Sequence, residues 1–292
     1  MQNKIKNYPH TESPIYYLRT KKRLSKILGI SIKDIQKLAG ACDSYKEWDE
    51  INEKGKSRHI ENPCYNLKVI QKRIADLLSR ISPPDFLFCP VKRRSYITNA
   101  KQHVGQKHVV CLDIKEYFVS TSSKRVYWFF HSYMKCSEDV AGILTAISTI
   151  KGRLPTGSPL SPILSYFAHV DMWDEISRIA KDAQCIITVY MDDLTISGKE
   201  VPQWVMWEIR QQISRCGLKY HKEKNYRNGF SEITGIIVKD KLALPNRQHL
   251  KTHKLRKELT LAATQEQKST ILRKISGCKS QNNQVLASND FI

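Results

Sequence analysis

The 292-residue chain carries 48 Lys and Arg against 28 Asp and Glu, a net charge of +20, with 41% hydrophobic residues and five Trp. That composition excludes a disordered polymer and suits one large domain, or two to three subdomains, with real cores. It also excludes a membrane span, since no run of about 18 apolar residues occurs; the first residues lack the apolar stretch of a secretory signal, and the expected compartment is the cytoplasm.

So large a positive balance opposes compaction and favours a polyanionic partner, nucleic acid foremost, because each neutralised phosphate releases counterions. The charge is uneven. Residues 245–292 hold nine Lys or Arg and three acids, whereas the stretch from Asp171 to Asp193 is acidic. A basic frame around an acidic centre suits phosphoryl chemistry on a nucleic acid. The eight cysteines are widely spaced, with no CxxC, so neither a zinc finger nor a disulfide framework is expected. Cys111 and Cys185 sit in apolar runs and read as small core residues.

In chain order, residues 24–39 read as two short helices, with Ser31 and Asp34 spaced as a capping box. The pair is compatible with a helix-turn-helix, but Leu24, Ile27, Leu28, Ile32, Ile35 and Leu38 already account for it as a packed pair. Gly55 marks a turn that exposes Lys56 and Arg58, either a solvated turn or a holder of a triphosphate. Residues 66–81 form an amphipathic helix, ended by Ser82-Pro83-Pro84. A basic segment, Lys92-Arg93-Arg94, leads to Asn99-Ala100-Lys101-Gln102-His103.

Residues 109–114 (VVCLDI) read as a buried strand running into Asp113, an acid with no evident capping duty because Ser120, Thr121 and Ser122 are better placed to cap the helix from about residue 124. Helices are expected over 124–134 and 137–150. The loop Leu154-Pro155-Thr156-Gly157-Ser158-Pro159-Leu160-Ser161-Pro162 then opens a helix of about twenty residues through Ala180, whose start could offer N–H groups to an anion. Next come two β-branched runs around Tyr190-Met191-Asp192-Asp193, expected as a hairpin with both acids on its turn. A helix over 202–216, short strands at 218–220 and 233–238, and a basic helical tail from about residue 247 complete the chain.

Adjacent like charges repel, and a buried hairpin gains no stability from them unless a cation lies against them. Taken alone the tetrad is equally an ordinary solvated turn. With Asp113 on a neighbouring strand, three carboxylates could hold two Mg²⁺ ions ~3.5–4 Å apart, the arrangement that stabilises attacking and leaving oxygens in nucleotidyl transfer.

The tetrad, the Asp113 strand and the Leu154–Pro162 loop resemble motifs C, A and B of reverse transcriptases. More narrowly, the chain is similar to bacterial retron reverse transcriptases: Asn99 to His103 matches their NAxxH element, and Ile233-Thr234-Gly235 their VTG element with Ile for Val. The resemblance covers roughly residues 20 to 275. It implies an α+β right-hand fold, with N-terminal helices and fingers over 1–105, a palm of antiparallel sheet backed by helices over 106–240 (with a fingers segment about 120–165), and a small helical thumb over 241–292.

It also implies catalytic and metal-binding roles for Asp113, Asp192 and Asp193, with the Ile114 carbonyl as a further ligand of two Mg²⁺ ions. Phe118 would screen the sugar 2′ face, and Lys56, Arg58, Thr156, Gly157 and Lys224 would meet the dNTP, Lys224 as a proton donor to pyrophosphate. Asn99, His103, Tyr190, Thr234 and Gly235 are further family positions. Thr156 stands where the family has Gln, Met191 where Ala is common, and Asn225 where Thr is frequent. The implied partners are a structured noncoding RNA serving as template and primer, its DNA copy, dNTPs and an effector protein, in defence against phage. Two alternatives stay open: a reverse transcriptase of group II intron or abortive-infection type, and a catalytically silent RNA-binding scaffold.

Overall fold

The computed structural model describes residues 7–40, 44–51, 55 and 57–290; Lys56 lies outside the described residues. In chain order the elements are α1 (Lys21–Leu28), α2 (Ile32–Gly40), β1 (Tyr45–Ile51), β2 (Ser57–Pro63), α3 (Tyr65–Leu78), β3 (Leu87–Cys89), α4 (Tyr96–Lys101), β4 (His108–Ile114), α5 (Tyr117–Ser120) and α6 (Ser123–Trp128). Then follow α7 (Glu138–Ser148), α8 (Ser161–Ala168), α9 (Val170–Asp182), β5 (Ile186–Tyr190), β6 (Asp193–Gly198), α10 (Gln203–Arg215), β7 (Tyr220–Arg227), β8 (Ser231–Ile233), β9 (Ile236–Val238), β10 (Leu242–Ala243), α11 (Asn246–Leu261) and α12 (Gln265–Asn289). Among the described residues no helix is long and apolar enough to cross a membrane.

The chain divides into two compact units. The first comprises Met1–Asp85, Ile114–Ser177 and Glu208–Tyr220. Its helices start and stop where local chemistry dictates. The Thr20 hydroxyl accepts the Arg23 N–H at the head of α1, and Gly29, at φ 70°, ends that helix in the left-handed region. Ser31 accepts the Asp34 N–H and donates to its carboxylate, as the capping-box spacing predicts. The fully buried Leu24, Ile35, Leu67, Ile74, Leu78 and Leu144 make these helices a packed set rather than a free reading head. A second layer of aromatic rings, Phe129 against Phe167 at 5.2 Å and Phe129 against Phe130 at 5.0 Å, fills the unit around α6 and α8. The helix expected over 124–134 is α6 continued by one wider π turn over Phe129–Tyr133, and its cap is Ser122, as expected. The long helix expected through Ala180 is two helices, broken at His169, where φ is −125°.

The second unit comprises Phe86–Asp113, Arg178–Trp207 and His221–Ile292. Its sheet has the order β3-β5-β6-β4-β7. The pairings β5–β6 and β4–β6 are antiparallel, as expected; β3 departs from that expectation by adding to β5 in parallel. The single strand expected over 233–238 is instead a hairpin, β8 and β9, turned by Thr234 (φ 45°) and Gly235 (φ 82°). Two consecutive left-handed residues make the tight turn that matches strand twist, and the second of them is the glycine that turn favours. The hairpin joins β10 in a small sheet. Its buried Ile233, Ile236, Val238 and Leu242 pack with Ile97 and Ala100 of α4, Val109 of β4 and Val285 of α12. The Asn289 side chain receives the Leu242 N–H at 2.8 Å and donates to the Leu242 carbonyl at 3.0 Å, which fixes the end of α12 to β10.

Candidate active site

Strand alternation decides where the acids point. Along β4, Val110, Leu112 and Ile114 face one side, all at most 2% exposed, while Val109, Cys111 and Asp113 face the other. On the hairpin, Tyr190 pairs directly with Asp193, leaving Met191 and Asp192 as a two-residue turn. Met191 adopts φ 63°, the left-handed entry that such turns use. The expectation put both acids on the turn. Asp193 is in fact the first residue of β6, and this register sets it directly opposite Asp113 on β4. Opposed residues on adjacent antiparallel strands have Cβ atoms ~4.5–5.5 Å apart. Asp113 and Asp193, with Asp192 one residue away, therefore share one end of one sheet face.

The electrostatics follow from that placement. Burial, then the charges of Asp192 and Asp113, push the Asp193 carboxyl up to about 6, against the pull of Lys224 and Lys222 on β7. A carboxylate whose neighbours raise its affinity for a proton has the same reason to take another cation. The donors are all oxygen, which suits a hard divalent ion, so the residues present fit the metal expected of them. His221, which sequence reasoning missed, brings its Nε2 to 3.7 Å from Asp113 Oδ2. Nearly all of β7 is exposed, and half of its residues are Lys, Glu or Arg, so no apolar periodicity marks the strand that carries it.

The first unit holds the other expected positions. Arg58 is exposed on β2. The Thr156 hydroxyl accepts the Glu61 N–H at 3.1 Å and donates to the His59 carbonyl at 2.9 Å, and the Gly157 N–H donates to the Glu61 carbonyl at 3.1 Å. The side chain that stands in place of Gln is thus committed to the backbone of β2. Phe118 is half-buried on α5 and stacks on Tyr117 at 6.4 Å. The Tyr117 hydroxyl is itself held, donating to the Ser165 carbonyl at 2.9 Å and accepting from Trp173 Nε1 at 3.0 Å.

Residues 46–227 match the family model described as reverse transcriptase (RNA-dependent DNA polymerase). The chain belongs to the reverse transcriptase family. It is 28% identical over 245 residues to the Retron Se72 reverse transcriptase of Salmonella heidelberg (strain 579083-10), covering 78% of this chain and 65% of that protein. It is 28% identical over 224 residues to the Retron Ec86 reverse transcriptase of Escherichia coli, covering 74% and 70%. With the Retron Mx162 reverse transcriptase of Myxococcus xanthus it shares 24% over 254 residues, covering 74% and 52%. The matches thus span between about half and 70% of these relatives' lengths. The resemblance to retron reverse transcriptases read from the motifs is borne out.

Within this reverse transcriptase chain the two smaller motifs meet. Asn99 on α4 donates from Nδ2 to the Thr234 hydroxyl at 3.5 Å, and that hydroxyl donates to the Tyr96 carbonyl at 3.0 Å. Tyr190 is half-buried on β5, and burial raises its pKa. His103 is 1% exposed. One ring nitrogen lies 2.8 Å from the Thr188 hydroxyl on β5 and the other 2.6 Å from the Ser197 hydroxyl on β6. It therefore clamps the two strands that carry Tyr190 and Asp193, from the same sheet face, two residues along from Tyr190 and four from Asp193.

Burial drives the His103 pKa down to about 3. Its folded value lies below the unfolded value of about 6.5, so this stability is fully present above pH 6.5 and is lost as pH falls toward 3. A slope of about 1 kcal/mol per pH unit is expected from this group between pH 6 and 4. His103→Gln should reduce that slope, read by urea unfolding at pH 7 and pH 5; equal pH dependence in both proteins would rule out a buried neutral imidazole.

Proposed function

We propose that the chain is an RNA-directed DNA polymerase of retron type, copying part of a bound structured noncoding RNA into single-stranded DNA. The observation that carries this reading is the direct pairing of Asp113 with Asp193 beside Asp192, within a chain whose curated relatives are retron reverse transcriptases. Asp113, Asp192 and Asp193, with the Ile114 carbonyl, would hold two Mg²⁺ ions. When bound, such ions stabilise the attacking 3′-oxygen and the leaving oxygen of pyrophosphate in an in-line displacement. The remaining roles belong to side chains. Lys224, which acts electrostatically on Asp193, is assigned to protonate the departing pyrophosphate. Arg58, with Lys56, is assigned to the dNTP triphosphate, and Phe118 to its sugar.

In this reading the hairpin β1–β2 and the N-terminal helices are fingers, residues 106–240 the palm with a fingers segment at 120–165, and α11 and α12 a small thumb. The net charge of +20 serves the RNA backbone. The enzyme would work in the cytoplasm, beside an effector protein in phage defence. Purified protein given Mg²⁺, dNTPs and its co-purifying RNA should extend DNA that sequencing maps to that RNA. Failure to incorporate on any template would leave a silent RNA-binding scaffold as the answer. Phe118→Ala should raise ribonucleotide use relative to dNTP by ~10–100-fold, the range a single pocket contact supplies. An unchanged ratio in single-nucleotide incorporation would remove Phe118 from that role.

A further inference from the structure

Far from the acids in the sequence, the hairpin β1–β2 carries a second cluster of ionisable groups. Its register pairs Glu47 with Glu61 and Asp49 with His59, and strand alternation turns all four side chains to one face. His59 Nε2 lies 3.0 Å from Glu47 Oε2, and Nδ1 lies 3.0 Å from Asp49 Oδ1. One donor atom from each of Glu47, His59 and Glu61 falls within 4.8 Å of the others.

Glu61 supplies an independent sign. Its side chain is wholly buried. One oxygen accepts from the Arg153 guanidinium at 2.8 Å, while Oε2, also buried, has no hydrogen-bond partner. A buried carboxylate oxygen left unsatisfied is costly, and a bound cation removes that cost. Three carboxylates less the Arg153 guanidinium leave two negative charges on this face, which without an ion are met by a proton on His59 Nε2, facing Glu47, and by one ammonium; a divalent ion would replace both. At present the Lys151 ammonium answers one of them, 2.7 Å from Glu47.

We propose that Glu47, His59 and Glu61 form a site for one divalent transition-metal ion, Zn²⁺ foremost, on the face of the β1–β2 hairpin. An imidazole with carboxylates suits Zn²⁺, whereas Mg²⁺ prefers oxygen alone. His59 is arranged as metal-ligating histidines are. Nε2 faces the ligand carboxylate of Glu47, and Nδ1–H donates to Asp49, which fixes tautomer and ring orientation. Lys151, more than half exposed, swings away when the ion enters. The ion would tie β1 to β2 at the stretch of β2 whose backbone receives Thr156. The site stands independently of the polymerase reading, and its readout is bound metal rather than DNA synthesis.

The test uses the full chain with Asp113→Asn, Asp192→Asn and Asp193→Asn, which silences the other carboxylate cluster. This protein is titrated calorimetrically with ZnCl₂ in excess Mg²⁺, and metal retained after gel filtration is counted. A single tight equivalent is expected, weakened ~10–100-fold by Asp49→Ala and at least as much by His59→Ala, and strengthened by Lys151→Ala, which removes the competing ammonium. His59 and Asp49 are exposed, so these variants keep the fold even if Glu61→Gln does not, and circular dichroism checks that they do. No retained Zn²⁺, retention unchanged by His59→Ala, displacement by Mg²⁺, or loss only on changing His249 and His253 of α11 would each overturn the proposal.

Discussion

Asp193→Asn is expected to abolish nucleotide incorporation while raising the melting temperature of the metal-free protein. The two effects share one cause. Asp193 is held among two other carboxylates and partly out of water, and its pKa rises to about 6 from an ordinary value near 3.8. A raised carboxyl pKa is neutral stability below the unfolded value and a penalty as pH climbs through the folded one, so above pH 6 the charged site works against folding. One pKa unit corresponds to about 1.4 kcal/mol; allowing for the part of the group that solvent still screens, removing the charge should return about 1–2 kcal/mol, a few degrees in a protein of this size.

Wild-type protein should gain the same stability from Mg²⁺, because an ion that binds only the folded state stabilises it by mass action. The variant should gain less. Its incorporation rate should fall by ~10³-fold or more, as when a group aimed at developing transition-state charge is removed, with RNA affinity nearly unchanged because in the proposed reading the RNA backbone is met by Lys and Arg rather than by these acids. Scanning calorimetry with and without Mg²⁺, beside a primer-extension assay, decides it. A variant that melts lower than wild type, or still incorporates dNTPs, would place Asp193 outside the catalytic cluster.

The residues that could be read in advance are those whose local pattern and tertiary role agree. The run Val109 to Ile114 is apolar because β4 is an inner strand, flanked by β6 and β7, so its closing acid stood out. The β5–β6 hairpin announced itself by two β-branched runs around a polar turn. What stayed hidden lacks an apolar signal. Six of the seven residues of β1 are exposed, as is nearly all of β7; backbone pairing makes both of them strands, and no periodicity in the side chains marks it. β3 is three residues long. Thr234-Gly235 was legible as a family motif but not as a turn, although a glycine between two Ile-rich triplets is a hairpin signal. His103 shows the reverse case: the motif located it, and only the strand register explains it, since Thr188 and Ser197 become neighbours only once β5 and β6 pair.

Gly157→Ala should cost ~2–3 kcal/mol, the scale of overpacking plus a lost hydrogen bond, and should raise the KM for dNTPs. The reason is space rather than backbone torsion. A Cβ on Gly157 would lie 2.7 Å from the Glu61 carbonyl oxygen and 3.0 Å from the Asn62 Cα. Both are backbone atoms of β2, so no side chain can turn aside to make room. Either the 154–157 loop lifts from β2, losing the Gly157 bond to Glu61 and the two bonds of the Thr156 hydroxyl, or β2 shifts and carries Arg58 with it. Both outcomes disturb the hairpin assigned to the triphosphate, which is why the effect should appear in KM more than in the maximal rate. Thr156→Val, which keeps the volume and removes the hydroxyl, isolates the hydrogen-bond part at ~1–2 kcal/mol. Thr156→Gln, the family's residue, should not restore tighter dNTP binding here, because the Glu61 N–H and His59 carbonyl would lose their partner. Chemical denaturation and steady-state dNTP titrations of the three variants test the set. If Gly157→Ala melted and bound dNTP like the wild type, β2 would have to yield to the loop without cost, and the tie between this loop and the hairpin would not hold.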